Sequence, residues 1–367
     1  MAIPKNTSSR LKVVMVSVVV VLLLSEISVK PAEAIGIGLS LGAAGAAVAG
    51  MFGVHKYGNS LWCSLRECCP ENWAEANMKA LQETMKQKVY GQHLAEKVVL
   101  DVLKGHIENR NPAKALVLSF HGTTGIGKTF VSRIIAESLF KNGMSSKHVH
   151  VFSTRLHFLH ESNLPEYKNQ LQDWVSSNIS TCGWQMFIFD ETDEMQPGLI
   201  DVLKPFLDYF PEIDGVDYRK SIYIFLSNSG GREISQRTLQ QFEDGKKRED
   251  ITLKEMDELL KQMAFNEPGG LWHSDLLEKN LISFMVPFLP LERSHVLKCI
   301  QDDLRAKKFN LDINNRLSND RKFINQIADE LAYRPKEINA FSETGCKRVP
   351  EKVDLILNER KRSYEKH

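Results

Sequence analysis

Residues 115–129 read ALVLSFHGTTGIGKT, an apolar run that passes straight into a glycine-rich turn. Gly122, Gly127, Lys128 and Thr129 fill every fixed position of the spacing G-x-x-x-x-G-K-[ST]. The run before the turn is of β type. After it, Val131, Ile134, Ile135 and Leu139 share one face of a helix predicted over 130–140. Strand, loop and helix in that order are the context this spacing needs. Across Gly122, Thr123, Thr124, Gly125, Ile126 and Gly127 the glycines let backbone N–H groups point inward at phosphate oxygens, and the helix start adds its dipole. Lys128 would bridge the outer phosphates, and the Thr129 hydroxyl would complete a Mg²⁺ shell. A strand-to-helix turn without a ligand does not require the full match. These residues imply a site for a nucleoside triphosphate.

Four further β-type runs follow, at 149–152, 186–189, 222–226 and 284–289, each with a helical or loop segment after it. Pro287 demotes the last to an edge strand. Such alternation implies a parallel sheet covered on both faces. From Glu292 onward the pattern is helical alone. Val296, Cys299, Ile300 and Leu304 share a face there, as do Phe323, Ile324, Ile327, Ala328 and Leu331. A chain of 367 residues, 43% hydrophobic, accommodates a large domain and a smaller one. The expected units are an α/β nucleotide-binding domain over 85–285 and a small helical domain over 286–367.

The run 186–189 ends in Asp190 and Glu191. Beside a phosphate loop the first carboxylate would hold Mg²⁺ through water, and the second would activate the attacking water. Strand ends carry acidic turns for other reasons too, so it is the complete phosphate loop upstream that gives the pair its meaning. The run 222–226 delivers Ser227 and Asn228 to the same sheet edge. Asn228 either senses the γ-phosphate and the attacking water or simply ends a strand in the turn Asn228-Ser229-Gly230-Gly231. His148 and His150 share a strand face, and His157 and His160 a helical one. No Cys or carboxylate stands at fixed spacing to them, so packing explains them better than zinc.

The first thirty-four residues read as an address. Lys5, Arg10 and Lys12 precede an apolar run from Val13 to Leu24, and Ala32-Glu33-Ala34 offers a small-x-small cleavage site. A signal peptide over 1–34 is expected; an uncleaved anchor is the other reading. The uncharged stretch 35–54 is long enough to span a bilayer but rich in Gly, and one-sided, peripheral membrane attachment is the favoured reading. A connector over 55–84 carries Cys63, Cys68 and Cys69, whose spacing matches no common zinc site and suits disulfides in an oxidising compartment. Asn178-Ile179-Ser180 is an N-glycosylation sequon, meaningful on a translocated chain. These signals converge on the endoplasmic reticulum lumen. With 47 basic and 46 acidic residues the chain shows no nucleic-acid footprint, and no nucleic-acid partner is expected.

The phosphate loop, IFDETDEM (188–195), GLIDVLKPFLDY (198–209), IFLSN (224–228), VPFLPL (286–291), GCK (345–347) and VYGQHLA (89–95) together resemble AAA+ ATPases of the Clp branch, and within it the torsins. The resemblance spans about residues 85–350. It implies an AAA+ P-loop sheet domain with a C-terminal helical lid, binding ATP and Mg²⁺ in the endoplasmic reticulum lumen and nuclear envelope. Lys128 and Thr129 then serve triphosphate and Mg²⁺, Asp190 and Glu191 the metal and the water. Asn228 becomes a first sensor and Lys347 a second, and Tyr90 to Gln92 line the adenine end. By the same resemblance Cys299–Cys346 is expected as a redox-sensitive disulfide beside the nucleotide, and Cys63–Cys182 as a structural one. Where many torsins carry Asn at the end of the phosphate loop, this chain has Thr129. Alignment on FLPL (288–291) sets Leu281 where Clp-type enzymes place an Arg that reaches the neighbouring subunit's site. The resemblance implies that a membrane-anchored activator with an AAA-like luminal domain supplies it, within a homo- or hetero-oligomer. The segment 157–164 lacks the aromatic-hydrophobic-Gly triplet of a threading pore. The implied role is remodelling of protein complexes or membranes; the alternative is a nucleotide-gated binding module or chaperone with little hydrolysis.

Overall fold

A computed structural model describes residues 67–69, 76–267, 269–307 and 317–365. The expected signal peptide, the apolar stretch 35–54 and most of the connector lie outside the described residues. Helices α1 (Met78–Lys88) and α2 (His93–Glu108) flank the break at Tyr90–Gln92. Strand β1 (Leu116–His121) leads through the phosphate loop into α3 (Lys128–Leu139). Then come β2 (Val149–Ser153), α4 (Leu164–Thr181), β3 (Met186–Asp190) and β4 (Ile222–Ser227). α5 (Gly231–Glu243), α6 (Leu253–Asn266) and β5 (Phe284–Pro287) complete the α/β part.

All five strands run parallel in the order β2-β3-β4-β1-β5. The C-terminal ends of β3, β4 and β1 are therefore neighbours on one edge of the sheet, and Pro287 sits in an edge strand. Side chains alternate between the two faces. Leu116, Leu118, Phe120, Met186, Ile188, Ile222, Ile224 and Leu226 pack with Val131, Ile134 and Ile135 of α3. Val117, Phe187, Phe189, Tyr223 and Phe225 pack with Leu171, Val175 and Ile179 of α4. On this second face aromatic rings stack across the strands, Phe152 on Phe189 and Phe189 on Phe225, with centroids 5.0 Å apart in both pairs. Each such pair adds about 0.5–1.5 kcal/mol beyond burial. A slip of one residue would turn the rings to the opposite face, so they hold the register.

Helices α7 (Arg293–Ala306), α8 (Arg321–Asp329) and α9 (Val349–Glu365) form the C-terminal part. Val296, Ile300 and Leu304 pack there with Phe323, Ile324, Ile327, Ala328 and Val353. The purely helical expectation needs one correction. Strands β6 (Tyr333–Arg334) and β7 (Phe341–Ser342) pair antiparallel. Pro335 cannot continue a helix, and the Ser342 N–H is drawn to the Leu291 carbonyl at 2.8 Å. The boundary expected after residue 285 also falls within β5, because Val286 and Pro287 still pair with Phe120 and His121.

Cys299 and Cys346 are bonded, with Cα atoms 6.2 Å apart. Cys182 is bonded to Cys69, with Cα atoms 5.5 Å apart, and not to Cys63. The path of the connector decides this. The Glu67 carboxylate accepts from Ser146 Oγ at 2.7 Å and from the Lys147 N–H at 3.0 Å, which lays residues 67–69 beside the start of β2. Among the described residues no helix is long and apolar enough to cross a membrane.

Candidate nucleotide site

A cleft of about 780 Å³ opens where the sheet edge meets the C-terminal helices. Thr124 to Phe130, Asp190, Glu191 and Asn228 line its phosphate end; Val89, Tyr90, Cys299, Asp302, Cys346 and Lys347 line its far end. Parallel strand order produces this convergence. β1 releases the phosphate loop, β4 releases Asn228 and β3 releases Asp190 and Glu191, all at carboxyl ends of adjacent strands.

Lys128, the first residue of α3, turns its ammonium back over the loop. It donates to the carbonyls of Gly122 and Thr123, the latter at 2.9 Å, and to Asn228 Oδ1 at 3.0 Å. Burial pulls its pKa down to about 8, against the opposing pull of Asp193 and Asp190. Behind it, His121 is fully buried, bonded at 2.7 Å to Ser119 Oγ and at 3.1 Å to the Ser229 carbonyl. The carbonyl accepts from Nδ1–H, so Nε2 accepts from the serine. Burial holds this ring neutral, with a pKa of about 4.

Glu191 sits in left-handed backbone, φ 58°, a conformation that costs a non-glycine residue about 1–3 kcal/mol and clusters at functional sites. Ser153 Oγ donates to Glu191 Oε2 at 3.2 Å, and Arg155 Nε pairs with Oε1 at 3.1 Å. Arg155 also takes Glu194 through two hydrogen bonds, of 3.0 and 2.7 Å, which holds the Glu194 carboxyl below its usual range. One Asp190 carboxylate oxygen accepts from the Glu191 N–H at 2.9 Å. Asp190 and the exposed Thr129 line the same end of the cleft. A carboxylate and a hydroxyl are all-oxygen donors, the set a Mg²⁺ ion takes.

At the far end the Tyr90 hydroxyl donates to Asp302 Oδ2 at 2.6 Å, and Lys88 pairs with Oδ1 at 3.0 Å. Burial, then the bond to Asp302, pushes the Tyr90 phenol well above its ordinary pKa. Gln92 departs from expectation. It does not line the cleft but is buried behind it, donating to the carbonyls of Ile126 (3.1 Å) and Leu289 (2.8 Å) and accepting from the Leu289 N–H at 2.8 Å. It ties the phosphate loop to the end of β5. The turn carrying Cys346 and Lys347 touches the loop directly. The Cys346 N–H donates to the Gly125 carbonyl at 2.9 Å. A Cβ on Gly125 would stand 2.0 Å from the Thr344 carbonyl, and one on Gly345 2.2 Å from the Gly125 carbonyl. Both positions have positive φ, so glycine is required twice over.

Arg155, Asp193 and Asp302 escape sequence reasoning. Asp193 lies inside the quoted run 188–195, yet only the fold shows it bonded to Asn228. Leu281 is buried, and the cation beside it is Lys114, which donates to its carbonyl. The segment after β2 exposes Leu156 and Leu159 instead of an aromatic triplet. His148 and His150 are buried and bridged by Gln185. Among the described residues no three His, Cys, Asp or Glu side chains converge as a metal site. Asn178 sits on α4 with its amide donating to the Trp174 carbonyl at 2.8 Å.

Two family profiles match the chain: Torsin over residues 63–189, and the Torsin-1A C-terminal domain over residues 291–355. A Torsin-like protein of Caenorhabditis elegans is 41% identical over 298 residues, covering 81% of this chain and 82% of that protein. Among solved structures, the S. cerevisiae Hsp104–ADP complex gives a TM-score of 0.55, with 19% identity over 79% of this chain and 48% of that one. Closed-state Hsp104 with ATPγS and FITC casein gives 0.53 at the same identity and coverage. The chain spans about half the length of these solved chains, and at this identity the likeness is one of fold.

Proposed function

The chain belongs to the torsin family, and from that premise we propose that it hydrolyses ATP in the lumen of the endoplasmic reticulum and nuclear envelope. A single observation carries the reading: phosphate loop, carboxylate pair and strand-end Asn line one cleft. The loop amides and Lys128 would bind the triphosphate. Thr129 and Asp190 would hold Mg²⁺, which when bound neutralises charge on the phosphates. Glu191 would take a proton from the attacking water, with Asn228 orienting that water, while Tyr90 and Lys347 line the base and lid side.

Within an oligomer the site would need one more cation. Leu281 is buried where Clp-type enzymes place an Arg, and a donated Arg is worth three or more powers of ten in rate. We take the donor to be a membrane-anchored partner with an AAA-like luminal domain. In this reading, residues 85–285 and 286–367 act as core and lid, Asn178 carries a glycan, and the N-terminal apolar stretch attaches to the membrane from the luminal side. The work done is remodelling of protein complexes or membranes.

ATP hydrolysis by the purified chain, alone and with the luminal domain of such a partner, tests this. Slow turnover alone and strong stimulation on mixing is the expected result; vigorous turnover alone would end the partner-dependent reading. A second reading, a nucleotide-gated binding module, is favoured by the contact of the 344–347 turn with the phosphate loop. Partner capture that needs ATP but survives with hydrolysis abolished would favour it.

A further inference from the structure

Asp193 stands beside the phosphate loop with no part in the hydrolysis described so far. It lies in the tight turn Thr192–Glu194 that follows Glu191 directly. Its Oδ1 accepts from the backbone N–H of Asn228 at 2.9 Å, and its Oδ2 from the side-chain Nδ2 at 3.0 Å. The remaining polar atom of that amide, Oδ1, accepts from Lys128 Nζ at 3.0 Å. Chemistry fixes this orientation. A carboxylate only accepts and an ammonium only donates, so Nδ2 must face Asp193 and Oδ1 must face Lys128.

Both members of the pair are braced from behind by one segment. The Gly230 N–H donates to Glu267 Oε2 at 2.9 Å, and the Gly270 N–H to the Thr192 carbonyl at 2.9 Å. Gly269, at φ +150°, packs so closely that a Cβ there would stand 2.6 Å from the Asp193 carbonyl oxygen. The turn holding Asp193 and the turn holding Asn228 are thus fixed against the same support.

We propose that Asp193 is a positioning residue that locks the Asn228 amide with its oxygen toward the phosphates. Asn228 then acts on the attacking water as a hydrogen-bond acceptor, and not on the γ-phosphate as a donor. This rests on the hydrolytic reading above. A bound triphosphate competes for the Lys128 ammonium, which releases the Asn228 oxygen while Asp193 still holds the amide NH₂. The released acceptor suits one O–H of a water whose other proton passes to the Glu191 carboxylate. An unrestrained amide would turn its NH₂ to the anionic phosphate.

Asp193→Asn tests this with almost no change in shape. The new side chain keeps one acceptor for the Asn228 backbone N–H but sets its own NH₂ against the Asn228 amide, which must turn over. With the activating partner present, turnover should fall about ten- to hundredfold, a loss of the size seen when an outer partner that orients a metal ligand is removed. A fluorescent ATP analogue should still bind, so that the loss falls on turnover. In an Asn228→Ala background Asp193→Asn should cost nothing further, because its effect passes through Asn228. Wild-type turnover in Asp193→Asn, or losses that multiply in the double variant, would overturn the proposal. If Asp193→Asn loses the native melting transition, Asp193→Ser carries the same expectation. Wild type and Glu191→Gln alike in showing no turnover would remove the hydrolytic reading and this proposal together, a result distinct from either.

Discussion

The two ends of the cleft are built by opposite means. At the phosphate end, backbone amides and charged groups come from one continuous loop and from the tips of adjacent strands, all fixed by a buried sheet. At the base end, Tyr90 comes from the break between α1 and α2, Cys299 and Asp302 from α7, and Lys347 from a later turn, and a Tyr90–Asp302 hydrogen bond and the Cys299–Cys346 disulfide join these elements. The difference teaches where chemistry and affinity reside. Substitutions of the strand-tip residues Glu191 and Asn228 should act on the rate of hydrolysis, those of Lys128 and the loop on the hold of the triphosphate, and those at the helical side on how firmly base and lid are held.

The largest expected effect lies at the phosphate end. Glu191→Gln removes the proposed proton acceptor and should lower activated turnover by about 10²–10⁴-fold while ATP binding persists, read from phosphate release beside equilibrium binding. Loss of binding in parallel would break the division between the two ends. Gly345→Ala comes next, at the seam between them. It introduces a side chain at φ 54° against the Gly125 carbonyl, and strain of about 1–3 kcal/mol should appear as a lower melting temperature and weaker nucleotide affinity.

A pH series sharpens the account of Lys128. Burial holds its pKa at about 8, and a bound triphosphate favours the ammonium. Affinity should therefore be level below pH 8 and decline above it, by at most about tenfold per pH unit, in titrations with a labelled nucleotide. An affinity that rises with pH would refute the assignment. The smallest effect is at the base end. Tyr90→Phe deletes the hydrogen bond to Asp302 and should cost about 0.5–1.5 kcal/mol, seen as a less than roughly tenfold loss of affinity with turnover at saturation unchanged. A change confined to turnover would place Tyr90 on the wrong side of the comparison.

Legibility in the sequence follows the same division. The phosphate loop can be read because one uninterrupted segment supplies its glycines, lysine and hydroxyl. The five strands can be read because each is a short apolar run. Asp193 and Arg155 carry no such signal: Arg155 reaches Glu191 because β2 pairs with β3, and Asp193 reaches Asn228 because β3 pairs with β4. Gln92 was expected to line the cleft and is instead buried behind the loop, since its amide matches the carbonyls of Ile126 and Leu289. The choice of Cys69 over Cys63 was equally hidden, because spacing does not reveal where Glu67 anchors the connector.

By itself, then, the sequence determined a parallel α/β fold, its family and the residues proposed to meet the phosphates, because local periodicity and contiguous motifs encode these. Only the tertiary structure decided which carboxylate orients Asn228, which guanidinium holds Glu191, and how the 344–347 turn seats on Gly125. Those contacts join residues far apart in the chain. They exist only once strand order and helix packing have brought hydrogen-bonding groups within about 3 Å of each other.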